Sequence, residues 1–249
     1  MTPAAVLLDF GGVLAESAAP AVPPPAGQAD PIVPPELVLR VFNLITGALT
    51  PGEIRRRLTE AAVAYADWRD EDHPDELSQA EVWERFVLPG WPPLVQARVR
   101  TAVPRLSYEW AWRDSWELRP GIPEALAGFT AAGIPLAVVS NTLCGAAHRD
   151  FLTRVGVGHL FAAQIYSDEA GVRKPNPQMI WNATDQLGVP PSACWFVGDS
   201  RRRDVACARR ADIGTAILFT SRRTVTEDPT LWPAPDHTVD DGHTLFALL

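Results

Sequence analysis

The chain has 249 residues, 47% hydrophobic and 21% charged, enough for one substantial core and a smaller subdomain in an ordinary globular composition. Its formal charge of −8 and lack of a basic cluster argue against nucleic acid as a partner, and no stretch is long and apolar enough to cross a bilayer. A small anionic ligand stays open, because local donors and a metal can outweigh net charge.

A strand is predicted over Ala5–Asp9, entered with no basic segment leading into an apolar leader, which points to a cytoplasmic address. Ala18–Pro35 is rich in alanine and proline, so it reads as an extended linker or surface insert, with a proline-recognition segment as the alternative. Glu36–Ala48 has Leu37, Val41, Leu44 and Ile45 on one side and Gly47 near its end, a helical pattern. Thr50-Pro51-Gly52-Glu53 is a capping box, and from it runs the stripe Ile54, Leu58, Ala61, Tyr65 and Trp68. A second box, Ser78-Gln79-Ala80-Glu81, has Leu77 and Val82 placed to staple its start. Pro92–Val103 carries a less regular helical pattern, and no convincing strand occurs between Ala15 and Ser115.

The pattern then alternates. Helices are expected over Ile122–Ala132, Leu143–Val155, Pro177–Leu187 and Asp204–Ala211, and strands over Leu136–Ser140, Phe161–Tyr166, Cys194–Val197 and Gly214–Phe219. Such alternation implies an α/β fold, a parallel sheet with helices on both faces. The first strand is far from the second in sequence, so the helical block is an insertion. The expected division is a core of 1–14 and 116–249 with a helical cap of 15–115 that includes the proline-rich 18–35. Cys144, Cys194 and Cys207 form no CxxC pair and read as reduced, packed thiols.

Four polar clusters follow apolar runs, where an open α/β sheet collects its chemistry. Asp9 is followed by Gly11 and Gly12, which expose its carboxylate in a tight turn. It reads as a nucleophile toward phosphorus that also ligates Mg2+; taken alone it would be an ordinary turn aspartate. Ser140 and Asn141 end the next strand, where hydroxyl and amide donate to a phosphoryl oxygen, cap a helix, or do both. Lys174, between Arg173 and Pro175, is a cation suited to holding Asp9 ionised and neutralising charge on a phosphoryl group. Arg173 reads as supporting or surface. Asp199 and Asp204, in and after Gly198-Asp199-Ser200, would repel Asp9 unless a hard cation such as Mg2+ lay between them. Asp199 is the expected direct ligand, and Asp204 acts through water, orients the loop or caps the next helix. Arg201, Arg202 and Arg203 read as a solvated charged loop.

In order and content these pieces resemble the haloacid dehalogenase-like hydrolase superfamily, with the helical block where that family inserts a C1-type cap. The resemblance implies a Rossmann-like three-layer core, a site between core and cap, and Mg2+-dependent hydrolysis of a small phosphorylated substrate through an aspartyl-phosphate at Asp9. It departs at one place. Phosphatases of the superfamily usually carry a second aspartate two residues after the nucleophile as general acid and base, and here Gly11 stands there. The backbone carbonyl of Gly11 still serves a metal, but acid–base help, typically worth about 10²–10⁴ in rate, is lost.

Three readings follow. The first is a phosphatase of the Asp-x-Gly subgroup, which resembles sugar-1-phosphate phosphatases and the N-terminal phosphatase-like domains of epoxide hydrolases and shares the run Ser140-Asn141-Thr142. The second is a 2-haloacid dehalogenase, whose aspartate attacks carbon without a metal, though that class usually lacks the Gly198-Asp199 motif. The third is a non-catalytic regulatory protein on the same scaffold. No membrane or nucleic-acid partner is expected, and the chain is expected as a monomer or homodimer. His73 among acidic neighbours reads as part of a solvated loop, His148 and His159 lack a metal-ligand partner at helical spacing, and Trp110, Trp112 and Trp116 read as hinge packing.

Overall fold

The computed structural model describes residues 2–17, 33–71, 75–230 and 232–249; most of the proline-rich segment, and His73, lie outside the described residues. The chain divides into two units, Met1–Ala18, Pro74–Glu76 and Ser115–Leu249 in one, Ala19–His73 and Leu77–Asp114 in the other. The first unit opens with β1 (Ala5–Leu8) and β2 (Ala15–Ser17). The second holds α1 (Pro35–Leu44), α2 (Pro51–Asp70), α3 (Gln79–Val82), which continues as a wider π turn over Trp83–Val87, α4 (Pro93–Arg100) and α5 (Val103–Ala111). The first unit resumes with β3 (Trp116–Leu118), α6 (Ile122–Ala131), β4 (Leu136–Ser140), α7 (Gly145–Arg154), β5 (Phe161–Tyr166), α8 (Ser167–Ala170) and α9 (Gln178–Leu187). It ends with β6 (Cys194–Gly198), a π turn over Arg201–Val205 leading into α10 (Ala206–Arg210), β7 (Thr215–Phe219), β8 (His237–Val239) and α11 (Gly242–Phe246).

In the helical unit both capping boxes form. Thr50 Oγ1 accepts the Glu53 N–H at 3.3 Å while Glu53 takes the Thr50 N–H at 2.8 Å, and Ser78 and Glu81 repeat this at the same distances. The stripe Ile54, Leu58, Ala61, Tyr65 and Trp68 is buried. The helix expected over Pro92–Val103 forms as α4, which stops at Arg100, and a separate helix, α5, begins at Val103. Pro104 sits in the first turn of α5, where its missing N–H costs nothing and restarts the helix. The interior closes on Trp83, whose indole N–H donates to Ser107 Oγ at 2.9 Å and whose ring meets Trp110 edge-on at 5.7 Å.

The other unit is a six-stranded sheet ordered β5-β4-β1-β6-β7-β8, every pair parallel. Its central strands β1, β4 and β6 are buried along their whole length, as a sheet covered on both faces requires. Leu7, Val139, Phe196 and Leu218 share one core cluster with Met179 and Ile180 of α9 and Cys207 and Ala208 of α10. Trp195, next to Phe196 along the strand, faces the opposite side and meets Phe129 of α6, which packs on Phe246 of α11. This is the expected three-layer Rossmann-like α/β core. The sequence reading missed β2, β3 and β8, each three residues long and too short for a periodic signal. β2 pairs antiparallel with β3, joining residues about a hundred positions apart where the chain leaves the sheet unit and returns. The three cysteines are free and buried. Among the described residues no helix is long and apolar enough to cross a membrane.

Candidate active site

Register brings the polar clusters to one edge. Leu8 of β1 pairs with Val138 on one side and Val197 on the other. Asp9 therefore emerges between the strand ends that carry Ser140 and Asp199, its backbone N–H donating to Val197 O at 2.9 Å. Its carboxylate Oδ1 accepts the Phe10 N–H at 2.7 Å.

Lys174 supplies the cation. Its side chain is only 2% exposed, and Nζ lies 2.9 Å from Asp9 Oδ1 and 2.6 Å from Asp204 Oδ1 while donating to Val139 O at 2.9 Å. Burial works against the ammonium, but Asp204 and Asp9 outweigh it and hold its pKa above the ordinary lysine value. Asn141 fixes this segment: Oδ1 accepts the Lys174 N–H at 2.8 Å and Nδ2 donates to Lys174 O at 2.9 Å. Both polar groups of Asn141 are thus engaged with the lysine backbone. Ser140 is buried at the end of β4, adjacent to the carbonyl that holds Nζ.

Asp199, Asp204 and Asp9 each offer a carboxylate oxygen within 4.8 Å of the others. Asp204 Oδ2 accepts the N–H groups of Asp199 and Ser200 at 3.1 and 3.0 Å, so it braces the turn before its own helix. Burial pushes the Asp199 carboxyl up to about 7, reinforced by Asp204 and Asp9 and opposed by Arg223 and Ser221. Burial likewise raises Asp204 despite Lys174. The three buried carboxylates still outnumber the two cations that face them, Lys174 and, 3.5 Å from Asp199, Arg223, and the donors are all hard oxygens, which fits a divalent cation. Gly11 lies on the exposed side of the turn, bridged to Ala15. Gly12 abuts Asp199, where a Cβ would fall 2.1 Å from Oδ2.

Several residues at the site carry no motif. Ser221, Arg223, Thr224 and Glu227 follow β7 and surround the Asp199–Arg201 turn. Ser221 Oγ donates to Asp199 Oδ2 at 2.7 Å, and Thr224 Oγ1 donates to Asp199 O at 2.6 Å. Glu227 accepts from Ser200 Oγ at 2.5 Å and from the Arg201 N–H at 2.6 Å. Arg173 is buried rather than at the surface and lies 3.8 Å from Glu76, which also accepts from Ser167 Oγ at 2.7 Å. His148 stacks on Phe10 at 3.8 Å, and Trp116 closes edge-on against both. Of the three tryptophans, Trp116 takes part in this packing, Trp110 in the interior of the helical unit, and Trp112 stacks on Tyr108.

A family model described as haloacid dehalogenase-like hydrolase matches residues 3–212. A phosphoserine phosphatase from Thermus thermophilus is 31% identical over 134 residues, 54% of this chain and 52% of that protein. The chain spans about half the length of the curated relatives it matches. The solved structure of a 2-haloacid dehalogenase from Pseudomonas syringae aligns with a TM-score of 0.62 at 19% identity, covering 98% of this chain and 96% of that one. A predicted phosphoglycolate phosphatase from Haemophilus somnus aligns with a TM-score of 0.60 at 19% identity, covering 100% and 98%. At these identities the structures establish the fold alone.

Proposed function

This chain belongs to the haloacid dehalogenase-like hydrolase family, and on that basis we propose that it is a Mg2+-dependent phosphatase of small phosphorylated metabolites. The observation that carries the reading is Lys174 Nζ held between Asp9 and Asp204, in a cluster whose three carboxylates lie within 4.8 Å. Bound by Asp9, Asp199, the Gly11 carbonyl and, directly or through water, Asp204, Mg2+ would neutralise charge on the phosphoryl oxygens.

The chain's own residues do the rest. Asp9 Oδ1 is held by Phe10 and Lys174, which leaves Oδ2 to attack phosphorus. The bond from phosphorus to the leaving oxygen breaks, its electron pair departs with that oxygen, and an aspartyl-phosphate forms. Water then attacks this phosphorus, releasing orthophosphate and restoring the carboxylate. Ser140 donates to a phosphoryl oxygen, Lys174 opposes the growing charge, and Asn141 keeps Lys174 aimed. With glycine at position 11 the leaving oxygen takes its proton from solvent, which favours esters of acidic alcohols or phenols.

Attack on carbon needs no cation, and three buried carboxylates that outnumber Lys174 and Arg223 disfavour that reading. The intact pair of Asp9 and Lys174 disfavours a purely regulatory one. The compartment we propose is the cytoplasm, which suits three free thiols. The test is hydrolysis of p-nitrophenyl phosphate, expected to need Mg2+ and to vanish in Asp9→Asn. Halide release from 2-haloacids in chelator would replace this reading with carbon chemistry. Mg2+ binding without hydrolysis across a broad phosphate-ester panel would replace it with regulation.

A further inference from the structure

The loop after β7 treats the two oxygens of Asp199 differently. Oδ2 receives a short hydrogen bond from Ser221 Oγ at 2.7 Å, and the main chain of the turn is tied down by Thr224 and Glu227. Oδ1 faces only a loose contact, Arg223 Nη1 at 3.5 Å. The Arg223 side chain is 46% exposed while that of Asp199 is 4% exposed, so the guanidinium stands at the rim and reaches in. Its neighbour Arg222 turns away to Glu16 at 3.3 Å and is 61% exposed, an ordinary surface pair.

A guanidinium carries five donors in a planar fork, the geometry that matches phosphate, and it keeps its charge at every working pH. One long contact leaves most of those donors uncommitted. The less engaged oxygen of Asp199 is also the one open to a divalent cation, so cation and guanidinium seek the same atom. A fixed positive charge a few ångströms from the site disfavours cation binding, and a bound cation repels the guanidinium in turn. Once displaced, it can offer the fork to the phosphoryl group of a bound substrate, which must outcompete Glu227, a further carboxylate acting on the guanidinium.

Taking Asp199 as a cation ligand, as in the reading above, we propose that Arg223 couples cation and substrate binding. It rests on Asp199 Oδ1 in the cation-free protein and transfers to the substrate's phosphoryl oxygens when a divalent cation takes that oxygen. Coupling of this kind is reciprocal, so Mg2+ and phosphate each tighten the other's binding, and removing the guanidinium weakens that link.

The experiment needs no turnover. Titration calorimetry measures Mg2+ binding without phosphate, then inorganic phosphate binding at saturating Mg2+, for the wild-type chain, Arg223→Gln, Arg223→Lys and Arg222→Gln. Arg223→Gln is expected to bind Mg2+ about tenfold tighter and, once loaded, phosphate about tenfold weaker. Arg223→Lys, which keeps the charge without the fork, should hold the wild-type Mg2+ affinity and still lose phosphate affinity. Arg222→Gln should leave both within about twofold. Mg2+ affinity unchanged or weakened in Arg223→Gln, unchanged phosphate affinity, or the same changes in Arg222→Gln would each overturn the inference while leaving the phosphatase reading intact. A wild-type chain that binds no Mg2+ would instead remove the phosphatase reading on which the inference rests.

Discussion

Replacing Lys174 by methionine keeps the length and apolar stem of the side chain and deletes one charge from a site 2% exposed. It leaves Asp9 Oδ1, Asp204 Oδ1 and the Val139 carbonyl without the ammonium that reaches all three at 2.6–2.9 Å. Breaking a buried pair by removing one partner costs about 3–5 kcal/mol, because the other charge stays buried. At roughly 2–4 °C per kcal/mol for a chain of this size, the melting temperature should fall by roughly 6–20 °C near pH 8 in chelator. Asp204, whose carboxyl burial already pushes up, can instead take up a proton, so the deficit should shrink as the pH falls toward about 5. Differential scanning calorimetry of both proteins at the two pH values measures this. A deficit below about 2 °C near pH 8, or one that grows on acidification, would refute the claim that Lys174 compensates these carboxylates.

Three further outcomes follow from the same geometry. A Cβ at Gly11 would meet nothing within 4 Å, so Gly11→Asp should fold normally and raise turnover of alkyl phosphates, with about 10²-fold set by restored acid–base help and steady-state kinetics as the check. At Gly12, where φ is +77° and a Cβ would fall 2.1 Å from Asp199 Oδ2, alanine should cost at least about 1–2 kcal/mol in a denaturant melt, with Gly11→Ala near neutral as the matched control. Asp199, raised from 3.8 to about 7, binds more protons in the folded than in the unfolded state between those values, so its contribution to stability falls as pH rises through that window. Mg2+ takes the proton's place, so the rise in melting temperature it produces should be larger near pH 8 than near pH 6, and the reverse order would contradict the assignment.

The site was legible in part because its chemistry follows local rules. An apolar strand delivering Asp9 into glycines, another ending in Ser140 and Asn141, and Asp199 after a third are readable without knowing what lies beside them. The two capping boxes and the alternation of helix and strand are equally local, since turn chemistry and side-chain periodicity act over a few residues. What the residues around Lys174 do was not readable. Asn141 read as a phosphate donor or a helix cap, and its side-chain amide binds the Lys174 main chain, while Arg173, read as supporting or surface, is buried beside Glu76. Strands of three residues such as β2 and β3 are too short to show a period, and their pairing joins segments about a hundred residues apart.

Sequence alone determined the strand ends, the order of the chemical groups and the absence of an acid at Gly11, all properties of contiguous residues. Tertiary structure decided which carboxylate oxygens converge, how Lys174 divides itself between Asp9 and Asp204, and that Ser221, Arg223, Thr224 and Glu227 close around Asp199. Those contacts depend on β7 lying beside β6 in parallel register, and serine, arginine and threonine in a loop carry no mark of the neighbour that a sheet will give them.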